Sequence, residues 1–261
     1  MEWWQSIVLG LVEGVTEFLP ISSTGHLILA ERALGLPDDE SSRTFTICIQ
    51  AGAIAAVLGI YLPRVRSMLA GGERGLLGKL VLAFLPAAAL GLLSEKWIDA
   101  HLFGLRPVVA AWLAGGAAIL LLARKLRGGE VGLGSIGTRT AVLVGLFQCL
   151  ALWPGTSRSL ATIGGGLWLG LSMGAAVEFS MLLGLLTLGA ATAWKGVHHG
   201  HAMLAHYGLF PVLLGFLVAA LAAWASVKWM IGWLQRRGLG LFGWYRVLLA
   251  LSVAAWLLGR K

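Results

Sequence analysis

Apolar residues run along this chain in long blocks rather than in amphipathic stripes. Six blocks, roughly 44–62, 77–95, 107–123, 173–194, 208–230 and 242–258, are long and apolar enough to span a bilayer as helices. Two further pairs are shorter. Residues 3–19 and 23–35 break at Pro20, residues 139–153 and 157–170 break at Pro154-Gly155, and polar residues fill each break. A short helix pair with a polar break at membrane depth is the pattern of a re-entrant hairpin, tolerated only where it is buried in protein or lines a cavity. The expected fold is therefore an all-α polytopic membrane protein with six transmembrane helices and two re-entrant helix hairpins.

The hairpins resemble one another. Gly10-Leu11-Val12-Glu13 corresponds to Gly145-Leu146-Phe147-Gln148, and a serine, Ser23 or Ser157, lies three residues after each proline. Three spans follow each hairpin. An odd number of crossings per copy turns the second copy upside down, which predicts an inverted-topology repeat within one membrane domain, 1–125 against 136–261. The site is expected where the broken helices meet.

Composition sharpens this. Of 261 residues 58% are hydrophobic and 12% charged, too few charges for a soluble globular domain. The net charge of +8 invites a nucleic-acid reading. The basic residues, however, collect in short gaps between apolar blocks, as the positive-inside rule requires, so no nucleic-acid partner is expected. Arg64, Arg66, Arg74 and Lys79 lie in one gap, Arg124, Lys125, Arg127 and Arg139 in another, Arg236 and Arg237 in a third. All three fall on one side, expected to be cytoplasmic, whereas gap 95–106 balances Lys96 and Arg106 against Glu95 and Asp99. Both termini then face outward, against the pull of Arg260-Lys261. The start, Met-Glu-Trp-Trp, lacks a basic signal-peptide region, so the first helix is expected in the mature fold. Cys48 and Cys149 lie in apolar runs and are expected to be buried thiols rather than disulfide or metal ligands.

The chemistry concentrates at the breaks. Glu13 and Glu17, one turn apart, share a helix face inside an apolar segment, where carboxylates are expensive and mark an ion or polar site. Ser22-Ser23-Thr24-Gly25-His26 opens the second helix of the first hairpin. Gly155-Thr156-Ser157-Arg158-Ser159, with Thr162 a turn later, opens that of the second. Two helix N-termini and a guanidinium suit phosphate oxygens. Acids facing such a site imply a divalent cation, Mg²⁺ or Ca²⁺, between them and the anion. His26, three residues after Ser23, is placed to move a proton. Glu178 is a candidate partner for a basic group. His198, His199, His201 and His206 are expected in a solvated loop rather than around a metal.

The segments GLVEGVTEFLPISSTGHLIL and GLFQCLALWPGTSRS resemble the two signature motifs of the bacterial undecaprenyl-diphosphate phosphatases of the UppP/BacA type. Likeness extends to Phe45–Ala53, Pro86-Ala87-Ala88, Glu178-Phe179-Ser180 and Tyr245-Arg246. The resemblance implies metal-dependent hydrolysis of a C55 isoprenyl diphosphate to its monophosphate at a site open to the outer face of the bacterial inner membrane. It implies bacitracin resistance when the protein is abundant, and a homo-oligomer is compatible with it. It places the acidic pair on Glu13 and Glu17, the catalytic Ser and His on Ser23 and His26, and the phosphate-binding Arg on Arg158. Ser22, Thr24, Gly155, Thr156, Ser157, Ser159 and Thr162 are the remaining candidate phosphate contacts. The chain departs from the family pattern at Leu160-Ala161, at Met173-Gly174 and at Leu186. Another class of membrane lipid phosphatase carries a His separated by five residues from a Ser-Arg pair, where this chain has Gly164. A transporter or lipid flippase is the rival reading, because inverted repeats with broken helices are also a transporter design.

Overall fold

The structure, a computed structural model, describes residues 1–37, 39–123 and 125–259, with the side chains of Glu40 and Arg74 excepted. Asp38, Arg124, Arg260 and Lys261, and the side chain of Arg74, thus lie outside the described residues. The described chain is helical: α1 Trp3–Thr16, α2 Ser23–Ala33, α3 Glu40–Ile60, α4 Leu62–Leu69, α5 Arg74–His101, α6 Leu105–Leu121, α7 Thr138–Gln148, α8 Arg158–Trp168, α9 Met173–Tyr207, α10 Leu209–Arg237 and α11 Gly240–Leu258. Five of these, α3, α5, α9, α10 and α11, are long and apolar enough to cross a membrane. The block expected at 107–123 forms α6, which at 17 residues falls short of that length because Gly104 and Leu122 already stand outside the helix.

Local chemistry sets the boundaries. Glu2 and Gln5 form a reciprocal capping box at the start of α1, and the Asp39 side chain accepts from the Ser42 amide at 2.8 Å to start α3. Pro63 in the first turn of α4 turns part of the first basic gap into a short helix. Gly208, at φ +79°, makes the sharp turn between α9 and α10.

The histidine-rich stretch is not a loop, because α9 continues to Tyr207 through His198, His199, His201 and His206. Met203 and Tyr207 recur on one face of that extension and are buried against Leu9, Leu27 and Phe45, which gives it an apolar stripe of helical period. Cys48 and Cys149 are half-buried rather than buried.

Helices α1 and α3 both pack on α10, and α7 packs on α5. Small residues bring the backbones together: a Cβ at Gly14 would collide with the Ala219 carbonyl, and one at Gly52 with the Phe216 carbonyl. The outer faces carry bare leucines, Leu93 85% and Leu121 83% exposed, which a bilayer solvates and water does not. The chain is a multi-pass membrane protein.

Candidate active site

Both hairpin breaks share an unusual backbone. Ser22 (φ 73°, ψ 102°) and Ser157 (φ 74°, ψ 116°) precede α2 and α8, and among the described residues they are the non-glycine positions with positive φ. Such conformations cost on the order of 1–3 kcal/mol each and persist only where the surroundings enforce them. The matching geometry also moves the alignment by one residue. The same spacing that relates Gly10 to Gly145 and Glu13 to Gln148 relates Ser22, not Ser23, to Ser157, so Ser23 is the counterpart of Arg158.

The two breaks meet. Ser159 donates to the Leu19 carbonyl at 2.9 Å, and the Ser157 and Ser159 hydroxyls lie 2.9 Å apart. Trp112 Nε1 donates to the Ile21 carbonyl at 3.0 Å. Arg246, a fully buried residue of α11, donates through Nη1 to the carbonyls of Thr156 (3.1 Å) and Pro20 (3.4 Å), and through Nη2 to those of Ala111 (2.8 Å) and Gly155 (2.9 Å). Broken helices leave carbonyls that lipid cannot satisfy, and a single guanidinium serves three of them across both breaks. A Cβ at Gly115 would collide with that guanidinium.

On the other side of the junction sit the acids. Glu13, Glu17, Ser23 and Arg158 are all buried. The Ser23 hydroxyl donates to Glu17 Oε2. Gln50 also reaches the Glu17 carboxylate, and Thr192 donates to Gln50 Oε1 at 3.2 Å, which turns the amide nitrogen toward the acid. Arg158 neighbours Glu17, lies 5.3 Å over the Phe18 ring and donates from Nη1 to the Ser180 carbonyl at 2.9 Å. Thr162 braces this arrangement, 2.6 Å from the Ser180 hydroxyl. Gly184 makes room for it, since a Cβ there would lie 2.6 Å from Arg158 Cζ.

Among the four residues of this cluster, Glu13 and Arg158 leave atoms over. Both carboxylate oxygens of Glu13 are buried with no donor, their near neighbour being the Glu17 carboxylate, and Nε and Nη2 of Arg158 are buried without an acceptor. Buried charges without partners are costly, and the pattern here is unspent acceptors on one neighbour of Glu17 and unspent donors on another. That pattern fits a cation and an anion bound together. Among the described residues no group of three or more His, Cys, Asp or Glu side chains is placed to hold a metal, so Glu13 and Glu17 supply at most part of a coordination shell. Beside them opens a cavity of about 550 Å³ lined by Glu13, Ser23, Thr24 and Gln50, with Glu95, Asp99, Phe103 and Lys195 at its helix-end side. Lys195 pairs with Glu95 at 2.9 Å.

The other candidates are placed differently. His26 faces α11: Nδ1 lies 2.6 Å from the Ser22 carbonyl and Nε2 2.8 Å from the Tyr245 hydroxyl, with the two rings stacked at 5.7 Å. A carbonyl only accepts, so Nδ1 carries a hydrogen, and in the neutral ring Nε2 then accepts from Tyr245. Gly155, Thr156, Ser157 and Ser159 spend their carbonyls or hydroxyls on joining the breaks, Ser22 spends its carbonyl on His26, and Thr24 alone of the six lines the cavity. Glu178 has a partner outside the site, Arg64 of α4, whose Nε donates to it at 2.7 Å while Nη1 donates to Glu73 at 2.6 Å. These two carboxylates hold Arg64 in its charged form, with its pKa raised. Thr192 and Gly184 were not singled out in the sequence, while Gln50, Ser180 and Arg246 stood within segments of family likeness without an assigned role. Arg246 did carry a signal, a charge inside an apolar block.

Comparison with known proteins agrees with this geometry. A family model described as bacitracin resistance protein BacA matches residues 6–252. The chain is 44% identical to undecaprenyl-diphosphatase 1 of Chromobacterium violaceum over 257 residues, covering 96% of this chain and 94% of that protein. It is 42% identical to undecaprenyl-diphosphatase of Sorangium cellulosum, covering 98% and 87%, and 42% identical to undecaprenyl-diphosphatase 2 of Rhodospirillum rubrum, covering 96% and 93%. With near-complete coverage, and the acids, serine and arginine of both motifs at the meeting point of the broken helices, the chain belongs to the bacitracin resistance protein BacA family.

Proposed function

We propose that this protein is an integral membrane phosphatase that hydrolyses undecaprenyl diphosphate to undecaprenyl phosphate and inorganic phosphate, returning the lipid carrier to cell-wall synthesis. The observation that carries the reading is the buried cluster of Glu13, Glu17, Ser23 and Arg158 around the Glu17 carboxylate, with both Glu13 oxygens and Arg158 Nε and Nη2 unspent. Arg158 uses its free N–H groups to hold non-bridging oxygens of the terminal phosphate and to neutralise charge there as the bond to the leaving group breaks. The Ser23 oxygen attacks that phosphorus while its proton passes to Glu17, and the lipid monophosphate departs. Glu17 hands that proton to the departing lipid monophosphate, so that when water cleaves the phosphoserine Glu17 takes a proton from the water and returns it to the Ser23 oxygen as its bond to phosphorus breaks. Gln50 holds Glu17 in line, and His26, tied to the Ser22 carbonyl and Tyr245, fixes the first turn of α2. Glu13 and Glu17 are the residues that would hold a divalent cation such as Mg²⁺ or Ca²⁺, which supplies the positive charge that lets a diphosphate approach two carboxylates.

The cavity lies at the helix ends bearing gap 95–106, opposite Arg66, Arg127 and Arg236, which supports an outward-facing site in the inner membrane. The paired Ser22 and Ser157 geometries, with α1 packed on α10 and α7 on α5, support an inverted repeat. The relatives' names speak for hydrolysis over transport. Purified protein in detergent should release phosphate from a long-chain prenyl diphosphate, and lose that activity in EDTA until Mg²⁺ or Ca²⁺ is restored. Lipid translocation without phosphate release would favour the transporter, and full activity in chelator would remove the cation from the account.

A further inference from the structure

A second cavity, of about 420 Å³, lies at the opposite end of the bundle from the first. It is bounded by the short turn after α6 and by the α10–α11 turn at Gly238-Leu239-Gly240. Its floor is apolar: Ile119, Leu126, Leu234 and Leu239 are all buried. Its rim carries Arg127, Arg236 and Arg237, and its lining has no acidic residue. Among the described residues none of these three guanidiniums has a hydrogen bond or ion pair, whereas nearby Lys125 is occupied, 4.2 Å over the Trp168 ring. The carbonyl end of α10 accounts for Arg236 and Arg237 in its last turn. It does not account for a third arginine arriving from another segment, nor for the greasy floor beneath all three.

We infer that this cavity is a binding site for the headgroup of an anionic phospholipid. Arginines beside the membrane face take the phosphodiester oxygens, and the apolar floor takes the glycerol and first acyl carbons, the arrangement of basic pockets between membrane helices. Charge complementarity selects this occupant: a zwitterionic headgroup brings an ammonium with no acid to meet it, and a free phosphate leaves the floor uncovered.

Native mass spectrometry of the purified full-length protein, released from micelles doped with phosphatidylglycerol or phosphatidylcholine, tests this. Wild type should retain phosphatidylglycerol in preference to phosphatidylcholine. The triple variant Arg127→Gln, Arg236→Gln, Arg237→Gln should lose that retention on the order of 100-fold, at roughly the strength expected per basic residue near a headgroup. Arg66→Gln, Lys79→Gln, Arg139→Gln removes as many cations from the same end outside the cavity and should leave retention unchanged. Equal loss in both triples would reduce the effect to the general field of the basic end and overturn the site. Equal retention of phosphatidylcholine, or displacement of the lipid by millimolar inorganic phosphate, would overturn it as well. Should the first triple fail to fold, the single Arg236→Gln variant must still show a roughly fivefold loss.

Discussion

Ser23 and Arg158 occupy corresponding places after Ser22 and Ser157, so one backbone device, used twice, presents a hydroxyl in one hairpin and a guanidinium in the other. Each has a support that spacing did not reveal. Gln50 turns toward Glu17 because Thr192 holds its oxygen, and Gln50→Leu should slow turnover by roughly 10-fold with little change in KM, since it removes a contact to the base rather than to the lipid. A larger effect on KM than on kcat would instead place Gln50 on the substrate. Gly184→Ala should be costlier than a mid-helix alanine ordinarily is, because its methyl would press on Arg158 Cζ. Phosphate release should fall at least 10-fold while the variant still purifies as a folded monodisperse species. Wild-type kinetics in that variant would mean that Arg158 sits elsewhere during turnover. The acids, Ser23 and Arg158 were legible because charge and hydroxyl at membrane depth stand out against apolar neighbours. Gly184 and Thr192 were not, since glycine and threonine are ordinary inside membrane helices and only the packed structure shows what they face.

The helix breaks show what holds such a site together. Arg246 reaches Pro20 on one break and Gly155 and Thr156 on the other. Arg246→Met keeps the bulk but strands three tip carbonyls in a dry interior, and it should destabilise the protein by about 3–5 kcal/mol, read as an earlier thermal transition in detergent. A transition unmoved by Arg246→Met would show that water or the α11 backbone replaces the clasp. At both hairpins the breaks fell where the sequence put them, although α1 stops at Thr16 and α7 at Gln148, short of Pro20 and Pro154, and Ser23 starts α2 while Ser157 caps α8. Element boundaries departed from the sequence pattern in α9. A count of polar residues reads His198 to His206 as a gap, yet Met203 and Tyr207 give that stretch an apolar face at helical period and carry the helix beyond the hydrophobic block. The departure at α6 has a different cause, because hydropathy ran on past Leu121 where the backbone had already stopped being helical.

Over the whole molecule, the acidic cavity and the basic gaps lie at opposite ends, and this polarity gives the proposed orientation. With Cys48 and Cys149 replaced, a cysteine at Asp99 should react with an impermeant thiol reagent added to intact cells, and one at Glu73 or Glu130 should not. Labelling at Glu73 and Glu130 alone would turn the catalytic mouth to the cytoplasm. The central claim, that the charged groups gathered at the two breaks hydrolyse a prenyl diphosphate, meets its most direct test in Arg158→Ala. Phosphate release from undecaprenyl diphosphate by the purified variant, with Mg²⁺ present, should fall by at least about 100-fold relative to wild type, in keeping with the loss of a preorganised donor to transition-state charge. An Arg158→Ala protein that releases phosphate at the wild-type rate would contradict the account.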